Sequence, residues 1–438
     1  MPVNKKVRDY QDPTIWNRLG VPRHQAGDLE MRDPWEKSAS MSENDRLADD
    51  IHWIGAIDWN ARDFHSFTTE RGTSYNAYLV QDAQTAVIDS VKEEFADELL
   101  HRLRRLIEPA RVDYLVCNHA EPDHAGGLAR LVDACPQATV VCTAKCRDFL
   151  GRYHDTSAWR FRPVKSGDRI GLGRRTLEFV ETPLLHWPDS MFTWVPEERL
   201  LFSMDAFGQH YATSNRFDDQ NPIQEVLEEA RIYYANIVMP FPKPVATALA
   251  RLDALQPRIV APSHGVIWRA HLPEIVRRHR AWSEFRPARK ALVIYDSMWH
   301  ATERMARAIA EGAATVPGTE TKVLSLRVTS LARLATEVLD AATVAFGSAT
   351  LNQNCMPSVA AALSYLKGLR PANKAFFAFG ATGWNRGGAE TIDEALRALN
   401  WESLREPLRV LSTPSHDQLG ECHAAGRLLA EKACAMAG

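Results

Sequence analysis

Residues 118–128 read NHAEPDHAGGL, and within six consecutive positions they bring together two histidines and two carboxylates: His119, Glu121, Asp123 and His124. The apolar stretch 112–117 precedes this cluster and predicts a buried strand, whereas residues 128–132 behind the two glycines predict a helix. The cluster is therefore expected on a strand-to-helix loop, where α/β proteins carry much of their chemistry. A solvated run of charges is the simpler interpretation, but the apolar flanks argue against it.

The length and composition of the chain restrict the class of protein. With 438 residues, 45% of them hydrophobic and 24% charged, the chain is expected to form two or three globular domains. A net charge of -3 gives no reason to expect nucleic acid or an anionic membrane as a partner, and no apolar stretch is long enough to span a bilayer. The seven cysteines are dispersed without a C-x-x-C pair, and the N-terminus lacks an apolar signal region, so we expect a reduced, cytoplasmic protein.

The pattern of apolar residues divides the chain into three segments. Residues 1–47 are polar and contain prolines, and we interpret them as an N-terminal extension without an assigned role. In residues 48–286, runs of short strands and helices follow one another twice, which predicts two packed sheets flanked by helices. In residues 287–438, five strands alternate with helices, which predicts a doubly wound parallel sheet.

Three further candidate ligands lie downstream of the cluster: His186, Asp205 and His264. Each follows a predicted strand, so all seven side chains are expected to converge on one rim of the fold. A single histidine is more often a packing residue than a ligand, but seven matched positions in one order predict a metal site.

The order of these ligands resembles that of the metallo-β-lactamase superfamily, whose hydrolases carry H-x-H-x-D-H followed by a distant His, Asp and His. Glu121 occupies the position of the second histidine, and in this the chain resembles the flavodiiron proteins. A carboxylate makes the ligand set harder and more anionic, which suits iron better than zinc. The resemblance implies that His119, Glu121 and His186 hold one iron, that Asp123, His124 and His264 hold the other, and that Asp205 bridges them. It also implies an αββα sandwich for the N-terminal domain, so that the chain combines α+β and α/β architecture.

Two residues near this site are candidate catalytic groups by the same resemblance. His65 lies in the segment DWNARDFHSF at 58–67, and Tyr234 lies in YYANIVMPF at 233–241. Ordinary packing is an equally good interpretation of both residues.

The second domain resembles flavodoxin, and three of its strand-to-helix loops are expected to hold flavin mononucleotide (FMN). The first loop begins a helix, where backbone N–H groups favour a phosphate, although Ala301 stands where the family usually has Ser or Asn. Trp384 is expected near the isoalloxazine ring, with Leu351 and Asn352 on its other side. The predicted FMN residues are Ser297, Met298, Trp299, His300, Ala301, Thr302, Ser348, Ala349, Thr350, Leu351, Asn352, Gly380, Ala381, Thr382, Gly383 and Trp384.

The resemblance implies an oxidoreductase that reduces dioxygen to water, nitric oxide to nitrous oxide, or both. Electrons are then expected to pass from a separate donor, such as rubredoxin or a flavin reductase, through FMN to the two irons, within a head-to-tail homodimer or a dimer of dimers. Two alternatives stay open at this point. One is a dinuclear zinc hydrolase with a flavodoxin-like domain, and the other is a redox sensor or electron-transfer module whose di-iron site is vestigial.

Overall fold

The structure is a computed structural model that describes residues 45–65 and 67–438. The predicted N-terminal extension therefore lies, up to residue 44, outside the described residues. Strand β1 (Arg46–Ala48) pairs antiparallel with β2 (Ile51–Trp53), so the chain has entered the first sheet by residue 46. The domain boundaries that the sequence predicts, after residues 47 and 286, stay predictions.

Two sheets form the N-terminal half. Within the described residues, the first sheet has seven strands in the order β1-β2-β7-β8-β9-β10-β11, and the second has five in the order β12-β13-β14-β15-β16. The other strands of this half are β3 (Ala56–Asp58), β4 (Asp63–Phe64), β5 (Phe67–Thr68), β6 (Thr73–Tyr75), β7 (Tyr78–Val80), β8 (Ala86–Ile88), β9 (Tyr114–Val116), β10 (Thr139–Cys142), β11 (Phe161–Pro163), β12 (Arg169–Gly171), β13 (Thr176–Glu181), β14 (Met191–Val195), β15 (Leu200–Met204) and β16 (Ile259–Pro262).

The two sheets pack face to face across a shared apolar core. Ile88 and Val116 of the first sheet lie in one buried cluster with Phe179, Met191 and Phe202 of the second. All residues of β14 and β15 are buried because this sheet is covered on both faces. The helices that cover the outer faces are α1 (Ala96–Arg104), α2 (Pro122–Ala125), α3 (Leu128–Ala134), α4 (Ala144–Tyr153), α5 (Ile223–Tyr233), α6 (Pro242–Leu255) and α7 (Leu272–Ser283). This arrangement confirms the predicted αββα sandwich.

The apolar run over residues 75–80 does not form one continuous strand. Strands β6 and β7 are separated at Asn76 because the side chain of Asn76 accepts from Trp53 Nε1 at 2.8 Å and donates to Pro262 O at 2.8 Å. Its backbone N–H donates to Ser263 O at 2.7 Å. These bonds lead the chain out of the first sheet and bring residues 73–75 towards the end of β16.

The C-terminal half is a parallel sheet in the order β18-β17-β19-β20-β22, with β21 also paired to β20. The first two strands in the chain lie side by side, and the order then reverses at β17 and β19, as in flavodoxin. This confirms the predicted doubly wound sheet. Its elements are β17 (Ala288–Asp296), α8 (Ala301–Ala314), β18 (Glu320–Ser325), α9 (Leu331–Asp340), β19 (Ala341–Ser348), α10 (Pro357–Leu369), β20 (Ala375–Thr382), α11 (Gly388–Arg397), β21 (Glu402–Ser403), β22 (Leu408–Leu411) and α12 (His416–Ala437).

Helix α5 of the sandwich contacts helix α9 of the parallel sheet through charged groups. Arg231 donates to Asp340 Oδ1 and to Thr336 O, both at 2.9 Å. Arg333 donates to Glu228 at 2.7 Å. These pairs join the two halves of the chain.

Among the described residues, we find no helix that is both long and apolar enough to cross a membrane.

Candidate metal centre and flavin cavity

The seven predicted ligands lie at the carboxyl ends of buried strands and are themselves buried. The first four follow β9, and Glu121 is the residue before the short helix α2. Pro122 begins that helix, because its fixed φ suits the first helical position and no backbone N–H is needed there. Asp123 and His124 lie in the first turn of α2, which separates them from His119 and Glu121 along the chain.

The side chains form two groups joined by one carboxylate. In the first group, Glu121 Oε2 lies 3.1 Å from His119 Nε2 and 3.1 Å from His186 Nε2. In the second group, His264 Nε2 lies 3.0 Å from Asp123 Oδ2, and His124 Nε2 lies 3.4 Å from Asp123 Oδ1.

Asp205 lies between the two groups and presents one oxygen to each. Its Oδ2 lies 3.2 Å from His186 Nε2 and 3.5 Å from His119 Nε2. Its Oδ1 lies 3.0 Å from His124 Nε2 and 3.5 Å from His264 Nε2. A carboxylate that faces two ligand sets with separate oxygens has the geometry of a bridge.

Several of these buried atoms lack a hydrogen-bond partner among the described residues. They are both carboxylate oxygens of Asp123, Oδ2 of Asp205, and Nε2 of His124, His186 and His264. Buried polar atoms without partners are costly, so their convergence from separate elements fits metal ions as the missing partners. Each group offers two imidazoles and a carboxylate in addition to Asp205, which is a donor set that suits iron.

The charges of the cluster favour the protonated forms of His124 and His186 in the metal-free chain. Burial lowers the pKa of His124, but the charges of Asp123 and Asp205 outweigh burial and raise it to about 9. Burial likewise opposes protonation of His186, but the carboxylates of Asp205 and Glu121, 3.2 and 3.1 Å from its Nε2, raise its pKa to about 8. Metal ions require neutral imidazoles, so these protons must leave when metal binds.

Outer hydrogen bonds orient the ligands. His119 Nδ1 lies 3.3 Å from Asp189 Oδ2, which also accepts from the Ala120 backbone at 2.8 Å. His264 Nδ1 lies 2.7 Å from the backbone oxygen of Ser74. Such contacts direct the opposite ring nitrogen towards the metal position. The sequence analysis assigned no role to Asp189, although it lies in the same HWPDS segment as His186, and a backbone oxygen such as that of Ser74 has no sequence signal.

Of the two candidate catalytic residues, His65 lies beside the cluster. Its Nε2 is 2.7 Å from Glu121 Oε1, the oxygen that faces away from His119 and His186. His65 and Glu121 both line an open cavity of about 470 Å³, together with charged residues that include Asp58, Arg62 and Lys92. We call this opening the front cavity.

The structure places Tyr234 elsewhere. It is fully buried in a π-helical turn, its described ring contacts are with His279 and Trp282, and its hydroxyl has no partner among the described residues. Its neighbour Tyr233 donates instead to Asp205 Oδ1 at 2.9 Å. Tyr233 was therefore not predicted from the sequence as a residue of this site.

A second buried group that the sequence analysis missed is His210. It lies beside the ring of His264, and its Nδ1 is 2.9 Å from the Thr73 hydroxyl. Burial lowers its pKa well below the usual value, so the ring is neutral.

A cavity of about 590 Å³ lies at the carboxyl ends of the parallel sheet. Thirteen of the predicted FMN residues line it, and the lining also includes Gln353, Asn385, Ser412 and Thr413. His300, Ser348 and Gly380 are not among its described lining residues. His300 pairs outward with Glu303, Ser348 is tied to the backbone of Ala349 and Met356, and Gly380 packs against the Ser348 backbone.

The lining of the cavity includes a buried hydroxyl near a helix start and two exposed indoles. The Ser297 hydroxyl is buried without a partner among the described residues, close to the start of α8, where backbone N–H groups favour an anion. Trp384 and Trp299 line the same cavity and are 89% and 87% exposed. Trp384 is therefore not a buried anchor of its loop, and both indoles are free to cover a ligand.

Two family models match the chain. Residues 73–265 match the ODP family beta lactamase, and residues 293–426 match flavodoxin. The first match lies within the sandwich, and the second lies within the parallel-sheet half.

Individual proteins are similar over nearly the whole chain. A nitric oxide reductase of Moorella thermoacetica is 43% identical over 90% of this chain and 99% of its own length. A rubredoxin-oxygen oxidoreductase of Megalodesulfovibrio gigas is 39% identical over 85% of this chain and 93% of its own. The crystal structure of the flavodiiron protein from Giardia intestinalis superimposes with a TM-score of 0.88 at 35% identity, covering 91% of this chain and 99% of that one.

Proposed function

The chain belongs to the flavodiiron proteins and is an oxidoreductase, and on this premise we propose that it reduces dioxygen to water, nitric oxide to nitrous oxide, or both, at two irons. The observation that carries the proposal is the position of Glu121. Its Oε2 lies 3.1 Å from both His119 and His186, within a cluster that Asp205 completes. In a zinc hydrolase of the related superfamily a third imidazole would occupy that position.

In the proposed site, His119, Glu121 and His186 hold one iron, Asp123, His124 and His264 hold the other, and Asp205 bridges. Two irons held there would supply redox chemistry towards a small ligand. The unpartnered oxygens and nitrogens of these residues support the assignment, because metal coordination satisfies them.

His65 and Tyr233 are the groups of this chain best placed to handle protons. His65 is hydrogen-bonded to Glu121 and lines the front cavity, so it can take up a proton from solvent at its ring nitrogens. Tyr233 holds its hydroxyl proton towards Asp205. Reduction of either gas consumes protons, so a group that connects solvent with the ligand set is required.

We propose that the 590 Å³ cavity holds FMN, with its phosphate at Ser297 and Thr302 and its ring beside Trp384. The flavodoxin match and the unpartnered Ser297 hydroxyl support this assignment. Electrons then arrive from a separate donor, rubredoxin or a flavin reductase. One similar protein is named for rubredoxin, which favours that donor.

Two further proposals concern assembly and location. We expect a head-to-tail homodimer or a dimer of dimers, which would bring the flavin-binding residues of one copy to the metal-binding residues of another. The seven cysteines are free, which supports a reducing compartment such as the cytoplasm.

The experiment is a gas-consumption assay on protein that is loaded with iron and FMN. A chemical reductant replaces the natural electron donor. Consumption of dioxygen without accumulation of peroxide, or formation of nitrous oxide from nitric oxide, is the expected result. Inactivity towards both gases, with iron and FMN bound, would contradict the proposal.

A further inference from the structure

A small internal cavity, which we call the inner cavity, lies beside the loops that carry two of the proposed ligands. Leu185, which directly precedes His186, lines it together with Ala206 and Phe207, which directly follow Asp205. Its volume is about 10 Å³. By that measure it has about the room that one water-sized molecule needs. It shares no described lining residue with the front cavity.

The lining of this inner cavity carries no charge. Most of it is buried aliphatic surface from helix α6 and the ligand loops, including Val245 and Leu249. His279 is the only histidine among the described lining residues, and its Nδ1 lies 3.0 Å from Ile275 O. Burial lowers the pKa of His279 to about 4, so the ring is neutral at physiological pH. A cavity of this character holds water poorly and accepts apolar molecules.

A depression of about 250 Å³ lies on the outer side of helix α6 and is lined by Thr182, Pro183, Lys243 and Thr247, among others. Ala248 lines both this depression and the inner cavity, and it is the only residue common to the two sets of described lining residues. Ala248 therefore lies between the depression and the inner cavity.

We propose that the inner cavity is a docking site for an apolar diatomic gas on its way to the metal centre, and that Ala248 is the gate through which the gas enters. The proposal rests on the proposed function, which supplies dioxygen or nitric oxide as the substrate. Both molecules are small and nearly apolar, so they favour a dry apolar cavity over the front cavity, whose charged lining holds water. Gas and protons then reach the metal residues by separate routes.

The direct test is diffraction from crystals of the holoenzyme pressurised with krypton, an apolar probe of similar size. Krypton is expected between Leu185, Phe207 and Val245 in the unaltered protein, and it is expected to be absent from Ala248→Leu. Ala246→Leu is the matched control, because Ala246 lies on the same helix and is exposed. An inner cavity that stays empty in the unaltered protein would overturn the proposal.

Kinetics test the gate separately. In Ala248→Leu, kcat/KM for the gas is expected to fall by at least about threefold while kcat at saturating gas, iron content and FMN content stay unchanged. Ala246→Leu is expected to match the unaltered enzyme in all four. If Ala248→Leu excludes krypton in the crystal but has an unchanged kcat/KM in solution, Ala248 is not the gate.

The two proposals fail in distinguishable ways. If the holoenzyme consumes neither gas, the proposed function fails, but krypton still decides whether the apolar site exists. If Ala248→Leu does not fold, Ala248→Val places a smaller side chain at the same point. A smaller decrease in kcat/KM is then expected.

Discussion

The metal centre and the flavin cavity are built in opposite ways. The proposed metal ligands are buried, and within each of their two groups the ligand atoms lie within 4.8 Å of one another. Further bonds to Asp189 and Ser74 hold His119 and His264. The flavin cavity is an open space of about 590 Å³ between loops, and its two tryptophans are almost fully exposed. The first site is therefore specified by side chains in fixed positions, whereas the second depends on backbone loops that a ligand must complete. Changes at one site are expected to leave the other intact.

The largest expected effect comes from removing the bridge. Asp205→Ala should abolish turnover and lower the metal content, because both ligand groups lose a shared carboxylate. His119→Ala should also abolish turnover. Both variants should keep FMN, measured by absorbance, with metal counted by plasma mass spectrometry.

The control for this prediction is Asp253→Ala, which removes an exposed aspartate that pairs with Arg280 on the surface of the same half. It should keep both cofactors and full activity. Loss of FMN from Asp205→Ala would show that the two sites are not independent.

The second effect is a pH dependence that only the metal centre should show. The pKa values of about 9 for His124 and about 8 for His186 mean that both rings carry protons at neutral pH in the metal-free chain. Metal binding displaces these protons, so affinity should fall as pH falls below about 9, by about tenfold per pH unit for each proton released.

Calorimetric titration of metal-free protein with Fe²⁺ in buffers of different ionisation enthalpy measures the protons released. FMN affinity should change little over the same pH range. Metal binding without proton release at pH 7 would contradict the assigned protonation of these histidines.

The third effect concerns the flavin cavity alone. Trp384→Ala should shift the flavin absorbance spectrum and weaken FMN binding by roughly tenfold, because an indole that stacks on the ring is lost. Iron content should not change. Leu428→Ala, a partly exposed leucine on the last helix of the same domain, serves as the control. An unchanged spectrum in Trp384→Ala would exclude the stacking role.

The smallest effect distinguishes two neighbouring tyrosines. Tyr233→Phe removes the hydrogen bond to Asp205 and should lower kcat severalfold, an effect of about 1 kcal/mol. Tyr234→Phe removes a buried hydroxyl that has no partner among the described residues, so turnover should not change and the melting temperature should be equal or higher. If Tyr234→Phe lowers kcat and Tyr233→Phe does not, Tyr234 is the tyrosine that handles protons.

Most of the fold and the composition of the metal cluster could be predicted from the sequence. Ligands such as His119 and Asp205 each follow a buried strand, and strand ends in such folds meet at one rim. The doubly wound sheet followed from alternating apolar strands and helices in the same way.

Tyr233 and the division of β6 from β7 could not be predicted. Two adjacent tyrosines have the same local pattern, and their roles were separated by the π-helical turn that begins at Tyr234. Strand β6 ends where it does because Asn76 bonds to residues almost two hundred positions away, which no local pattern contains. Ser412 and Thr413, by contrast, were predictable as lining residues, since they follow the strand next to β20 in the sheet.

The most direct test of the di-iron site is the number of metal ions per chain, determined by plasma mass spectrometry on protein produced with ample iron. We expect close to two irons per chain, together with one FMN. Two zincs and no iron under the same conditions would contradict the di-iron site. The zinc hydrolase would then be the better interpretation, and Glu121 would need a different role.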